Sequence, residues 1–308
     1  MVIVRELLLL ASFLVLASGC DKRGGAAPEP VPRPAGPLDL EAAREYVLAL
    51  VNRDRAELGL PPVERDEVAE QAGQRHVEDM AKNGYTAHWG TDGSVPEQRY
   101  TEAGGEHFVQ ENAMCFFDEK ERELDPNPLF EAVELEKIEL AFMSEKPPND
   151  GHKKNIIKPV HNRLGIGLSK PIGLKQPCMA QEFVDAYGSY GGIPKQARKR
   201  EALKVEGEIH DPVEFGGVGV GRIEPMQPIS AKKLNTTSTY KVPEPYVLYF
   251  PAGFKTPKPV TVNGKQFSIE VPLDDGGQVG RYQVSVWGKY PNAGEELVMI
   301  SLRTLVVR

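Results

Sequence analysis

Of the six histidines in this chain, two stand out by their neighbours. His88 lies in the segment 86–113 (TAHWGTDGSVPEQRYTEAGGEHFVQENA), between Asn83-Gly84, which ends a helix-like stretch, and the tight turn Thr91-Asp92-Gly93. The same segment closes on Glu111-Asn112. His152 follows Gly151 and a proline-rich loop, opens a short helical HKKNI stretch, and has Glu145 just upstream. Imidazole beside carboxylate can bind a divalent cation or move a proton near neutral pH. The other histidines read differently. His76 falls mid-helix among core positions and is expected to be a satisfied core histidine, whereas His107, His161 and His210 lie in polar loops where exposure is expected. Ser94 in its DGS turn and Ser144 near a helix end have no assigned base and read as ordinary hydroxyls. Arg99 is expected to pair with an acidic neighbour on its own short helix. Asn112 is expected to fix the backbone around it, with Trp89, Phe116 and Phe117 as apolar wall or core. No G-x-S-x-G, HExxH or Walker A pattern occurs. The GGVGVG run at 216–221 lacks dinucleotide spacing, and the DDGG loop at 274–277 lacks the glutamate of a calcium-binding loop.

The elements that must position these residues can be read from periodicity. Helices are predicted over 38–59, with Asp39 as N-cap, over 66–82, over a short 97–102 stretch and over 128–143. Strands are predicted at 163–169 and 178–187. Helices alternating with a few short strands imply a layered α/β sandwich. After about residue 190 the pattern changes. The polar stretch 191–205, with its RKR cluster at 198–200, reads as a solvated linker. Strands are then predicted at 246–250, 259–262, 266–272, 281–289 and 297–307. Asn263-Gly264 between two of them is a strong hairpin signal, and the pattern is that of an all-β sandwich.

The chain has 308 residues, long enough for two domains, and a net charge of −7 from 37 basic and 44 acidic side chains. Without a basic stripe it is not a nucleic-acid protein. The apolar run 7–17 is short for a membrane span and suits a signal peptide. It ends in Leu16-Ala17-Ser18-Gly19-Cys20, which resembles a bacterial lipobox, so Cys20 is the expected lipidation site after removal of residues 1–19. The proline-rich stretch 20–37 cannot form a core and would reach roughly 50 Å if extended, as a tether does. That leaves Cys115 and Cys178, which could pair in an oxidising envelope.

The region 40–190 resembles the CAP superfamily, or SCP domain, which includes cysteine-rich secretory proteins, antigen 5 and plant pathogenesis-related 1 proteins, and it is most similar to the bacterial branch. The matching elements are LVNRDRAELGLPPV at 50–63, the His88 segment with DGSVPEQRY, Glu111-Asn112, FMSE at 142–145, GHKKNI, and LGIG followed by QEF. The resemblance implies an α-β-α sandwich in which two histidines and two acidic residues meet in an open cleft, here His88, His152, Glu111 and Glu145. Glu145, three residues after Phe142, where the family usually has tryptophan, is the least closely matched of the four, because many bacterial members have serine there.

The expected organisation is therefore α+β: signal peptide 1–19, tether 20–37, CAP-like α-β-α sandwich 38–190, linker 191–205 and β-sandwich 206–308. The expected protein is lipid-anchored in the bacterial cell envelope, periplasmic or surface-exposed. Its cleft would serve as a binding or interaction module holding zinc or another divalent cation, with a lipid or an envelope polymer as ligand. A metal-dependent hydrolase of peptides or envelope polymers, with Glu111 or Glu145 as general base, and a purely structural surface protein are the alternatives.

Overall fold

A computed structural model describes residues 30–223, 227–237, 239–291 and 296–308. The expected signal peptide, Cys20 and most of the expected tether lie outside the described residues. The N-terminal half runs α1 (Leu40–Glu57), β1 (Glu64–Arg65), α2 (Glu67–Asn83), α3 (Pro96–Ala103), β2 (Phe108–Met114), α4 (Ala132–Met143), α5 (Gly151–Ile156), β3 (Arg163–Ser169) and β4 (Cys178–Asp185). Local chemistry sets the ends of these helices. The Asp39 carboxylate caps α1 by accepting from Ala42 N at 2.8 Å, and Asp66 caps α2 through Ala69 N at 2.9 Å. Gly84 stops α2 in the left-handed region at φ 68°.

The four strands form one sheet in the order β1-β3-β4-β2, so β2 is an edge strand. Helices α1, α4 and α5 cover one face, burying Val47, Leu50, Leu135, Phe142 and Ile156 against Leu164, Ile166 and Phe183. Helix α2 covers the other, with Val77 and Met80 against Ala113 and Ala180. The glycines of LGIG explain how close that second layer lies. A Cβ on Gly165 would stand 2.3 Å from the Ala69 carbonyl carbon, and one on Gly167 equally near Gly73, so the helix backbone rests directly on β3. Cys115 and Cys178 are disulfide-bonded, tying the end of β2 to the start of β4.

The C-terminal half is a β-sandwich with some helical turn. Its elements are β5 (Gly188–Tyr190), β6 (Gln196–Ala197), β7 (Ala202–Ile209), β8 (Glu214–Ile223), α6 (Ala231–Leu234), β9 (Val247–Tyr249), β10 (Thr261–Asn263), β11 (Gln266–Pro272), β12 (Gly280–Lys289) and β13 (Val298–Val307). They make two sheets, β10-β11-β7-β5 and β6-β13-β12-β8-β9, closed over a core that includes Val205, Val220, Phe267, Val284 and Leu305. The stretch 191–205 is therefore not a linker. It contributes β6 and the start of β7, whose Ala197, Leu203 and Val205 are buried in the sandwich, while most of the remaining side chains, the 198–200 cluster included, stay exposed. The sandwich already begins at β5, before residue 190.

The two halves are packed together. Strand β13 lies against α3 and β2, where Thr304 N donates to Thr101 Oγ1 at 3.2 Å and Ser301 Oγ donates to the Glu106 carbonyl. A second connection is a strap around α6. Ile229 N donates to Thr91 O at 2.8 Å, Thr86 N donates to Asn235 Oδ1 at 3.0 Å, and Leu234 is fully buried beside Val77 and Met80.

Candidate functional site

His88 and His152 line the same cleft, of about 940 Å³, together with Glu111 and Glu145. Each imidazole is bound to its own carboxylate through Nδ1. His88 Nδ1 lies 2.8 Å from Glu111 Oε1, and His152 Nδ1 lies 2.5 Å from Glu145 Oε1. A carboxylate can only accept, so Nδ1 carries the proton in both rings, and in the neutral ring the lone pair is on Nε2. Among the described residues neither Nε2 has a hydrogen-bond partner.

The Glu111 pair is built into the core. Its carboxylate is 1 % exposed, and Oε2 accepts from Arg99 Nη2 at 2.6 Å. Arg99 is also buried and donates to the carbonyls of Ser94 and His88, so the arginine belongs to β2 and the His88 loop rather than to its own helix. Burial resists ionisation of Glu111, but the permanently charged Arg99 and the hydrogen bond from His88 hold its carboxyl well below the usual range. Directly across the ladder, Glu182 is fully buried, and neither of its oxygens has a partner among the described residues. Burial and the neighbouring Glu111 charge push it far up, so Glu182 stays neutral and leaves the ionised form to Glu111. His76, also fully buried, donates from Nε2 to Ala87 O at 2.7 Å, and burial lowers it to about 4. It is the neutral core histidine its helical position implies.

The Glu145 pair is local. Glu145 Oε2 accepts from the amides of His152 at 3.0 Å and Lys153 at 3.3 Å, which also caps α5. The Phe142 ring lies 4.5 Å from the His152 ring and limits its swing. Asn112 joins the two pairs. Its Nδ2 donates to His152 O and to Gln181 Oε1, both at 3.0 Å, while its Oδ1 accepts from Asn155 at 2.9 Å.

Other positions differ from their loop reading. His161 is buried, with Nδ1 2.6 Å from Asp185 Oδ1 and its ring stacked on Phe183. His107 sits at the junction of the two halves, edge-on to Tyr190, and burial lowers it to about 4. His210 is exposed, as expected. Ser94 is buried in its turn and Ser144 is the C-cap of α4. Trp89 is partly buried, and Phe117 is exposed on the rim of the cleft.

Sequence reasoning missed one wall. Thr237, Thr239, Tyr240 and Val242, from the strap of the C-terminal half, line the cleft. Tyr240 donates its hydroxyl to Glu97 and meets Trp89 edge-on at 5.1 Å. No motif signals this, because Tyr240 follows a long run of unrelated strands.

Glu111 and Glu145 are both spent on Nδ1 atoms, buttressing the imidazoles as carboxylates buttress metal-bound histidines. Among the described residues no three His, Cys, Asp or Glu side chains are grouped to hold a metal ion. The candidate donors the cleft offers to an ion are the two Nε2 atoms.

A cleft of paired histidines on an α-β-α sandwich defines the class of this domain. Residues 48–171 match the family described as CAP, the cysteine-rich secretory protein family. The match lies within the N-terminal domain and does not extend into the C-terminal half. Among solved structures it is similar to an extracellular protein containing an SCP domain from Bacillus anthracis, at 18 % identity over 48 % of this chain and 44 % of that one, TM-score 0.35. The chain thus spans less than half the length of that protein. It is also similar to an outer surface protein of Borrelia burgdorferi, at 16 % identity over 48 % of this chain and 96 % of that one, TM-score 0.37. No curated protein matches the sequence.

Proposed function

We propose that this is an envelope-anchored CAP-domain lipoprotein whose cleft is a binding module that takes a divalent cation, zinc by its preference for imidazole, on His88 and His152. The observation that carries the reading is that both rings line one cleft, each tied by Nδ1 to a carboxylate and each leaving Nε2 open. A bound cation would supply a point of attraction for an oxygen of the ligand. Anchoring is supported by the lipobox-like Leu16–Cys20 residues and the proline-rich tether behind them. Among the described residues no helix is long and apolar enough to cross a membrane.

Binding is better supported than hydrolysis. Glu111 is buried, held ionised by Arg99, and has both oxygens occupied, while both oxygens of Glu145 also accept hydrogen bonds. Both carboxylates are thus engaged first in holding the imidazoles.

Calorimetric zinc titration of the wild type against the His88→Ala/His152→Ala double variant tests the reading. Heat of binding is expected at neutral pH, with modest affinity for two protein donors. It should be absent from the double variant and weaker in acid, where protons compete for Nε2. Equal binding by both proteins would remove the cation from the cleft.

A further inference from the structure

The floor of the cleft is the outer edge of β2, and its open backbone groups have a regular arrangement. Residues of both parities, Phe108 through Glu111 and then Ala113, line the cleft. That pattern arises when a cavity lies along the rim of a strand and not over one of its faces. In an antiparallel ladder alternate residues turn both N–H and C=O away from the partner strand. Three contacts show which residues these are. His107 O accepts from Leu302 N at 3.5 Å, Glu111 O from Asn155 Nδ2 at 3.4 Å, and Cys115 N donates to Thr86 Oγ1 at 2.9 Å. The odd-numbered residues therefore face outward, while the even-numbered ones bond to β4.

Both ends of this edge are closed. Leu302, in the C-terminal half, occupies the position at His107, and Thr86 occupies the one at Cys115. Between them, the N–H and C=O groups of Val109 and Ala113 and the N–H of Glu111 have no partner among the described residues. Proteins ordinarily block or shorten an exposed edge. Here the two ends are closed, and between them the Glu111 carbonyl is taken by the Asn155 side chain while the other outward groups are left to the cleft. His88 stands over one side of the edge, bonded to Glu111, and His152 over the other, bonded through its carbonyl to Asn112. The cleft is far roomier than an ion requires.

We infer that the cleft binds an extended polypeptide segment of another protein, which adds to the sheet as a short fifth strand along Val109–Ala113. Val109 and Ala113 lie roughly 13 Å apart at strand rise, so the open groups recur at the two-residue repeat of an extended backbone. Alternate side chains of the guest would point toward the His88 wall and the His152 wall, with Tyr240 and Val242 of the strap bounding the groove. This rests on the cleft being a binding site, and it names the class of ligand.

The test uses the full-length protein in EDTA, so its outcome is independent of the zinc titration. Random heptapeptides displayed on phage are selected against it, and the best binder is synthesised plain and with its backbone amides N-methylated at odd or at even positions. One methylated form should lose affinity by roughly tenfold or more while the other binds like the plain peptide. Ala113→Pro deletes an outward N–H and leaves the bonds to β4 intact, and it should weaken the plain peptide similarly. Failure to select a binder, or a binder indifferent to both methylation patterns, overturns the inference whether or not the proline variant folds. A wild-type dimer that dissociates on Ala113→Pro would assign the edge to a second copy of the chain and overturn it too. Peptide binding that survives in the double histidine variant while zinc binding is lost would separate the two readings.

Discussion

The two histidine–glutamate pairs have the same chemistry and different foundations. His88–Glu111 is assembled from a loop, an edge strand, α3 and α2, and its carboxylate is 1 % exposed. His152–Glu145 joins residues seven apart in sequence, at the end of α4 and the start of α5, and its carboxylate is 22 % exposed. The first is a fixed post of the cleft and the second an adjustable one. Folding stability should therefore depend on the first pair, and fine positioning of the imidazole on the second.

The largest effect that could break this contrast is on stability. Glu111→Ala leaves Arg99 charged and buried without its carboxylate and should cost about 3–5 kcal/mol in urea unfolding. A loss under about 1 kcal/mol would mean that the buried pair is not a foundation.

Next in size is a pH effect centred on His76 beneath Glu111. Burial lowers His76 to about 4 in the folded protein, against an unfolded value of about 6.5. Between these values the unfolded chain binds the additional proton, so stability should fall as pH drops through that window, by about 3 kcal/mol. The interfacial His107, lowered in the same way, adds to the loss. His76→Gln, which keeps a donor for Ala87 O, should flatten part of the slope. An unchanged slope would place the acid sensitivity elsewhere.

The smallest stability effect sharpens the comparison. Glu145→Ala should change stability by less than about 1 kcal/mol, as expected for a partly exposed pair. It should nonetheless weaken zinc binding by about tenfold or more, because the His152 ring loses its orienting acceptor. A variant with unaltered zinc affinity would reduce Glu145 to a helix cap.

What was legible in the sequence follows the same division between local and distant causes. Strand β11 spans Gln266–Pro272, as its alternation and the Asn263-Gly264 turn require, and α1 and α2 start at the expected aspartates. Strand β2 was not legible. FVQENAM buries Glu111 and Asn112 within the sheet, where a pattern reader expects polar residues outside, and the compensating Arg99, Gln181 and Asn155 are distant in sequence. Strand β8 was hidden by its glycines. A Cβ on Gly219 or Gly221 would meet Ser285 or Gln283 of β12, so those positions stay bare to seat the polar side chains opposite them. The His and Glu residues of the cleft could be named only through the family resemblance, because spacing did not link the first pair to the second. The Tyr240 wall had no local signal at all.

That wall has a practical consequence for anyone cloning the molecule. A fragment trimmed after residue 190 would keep both imidazoles and their carboxylates. It would also strip the cover from Trp89, remove the acceptor that Thr86 N uses on Asn235, and uncap His107 O. Such a fragment would present a wider, stickier groove than the native protein, so a ligand screen run on it would recover guests that the intact molecule turns away.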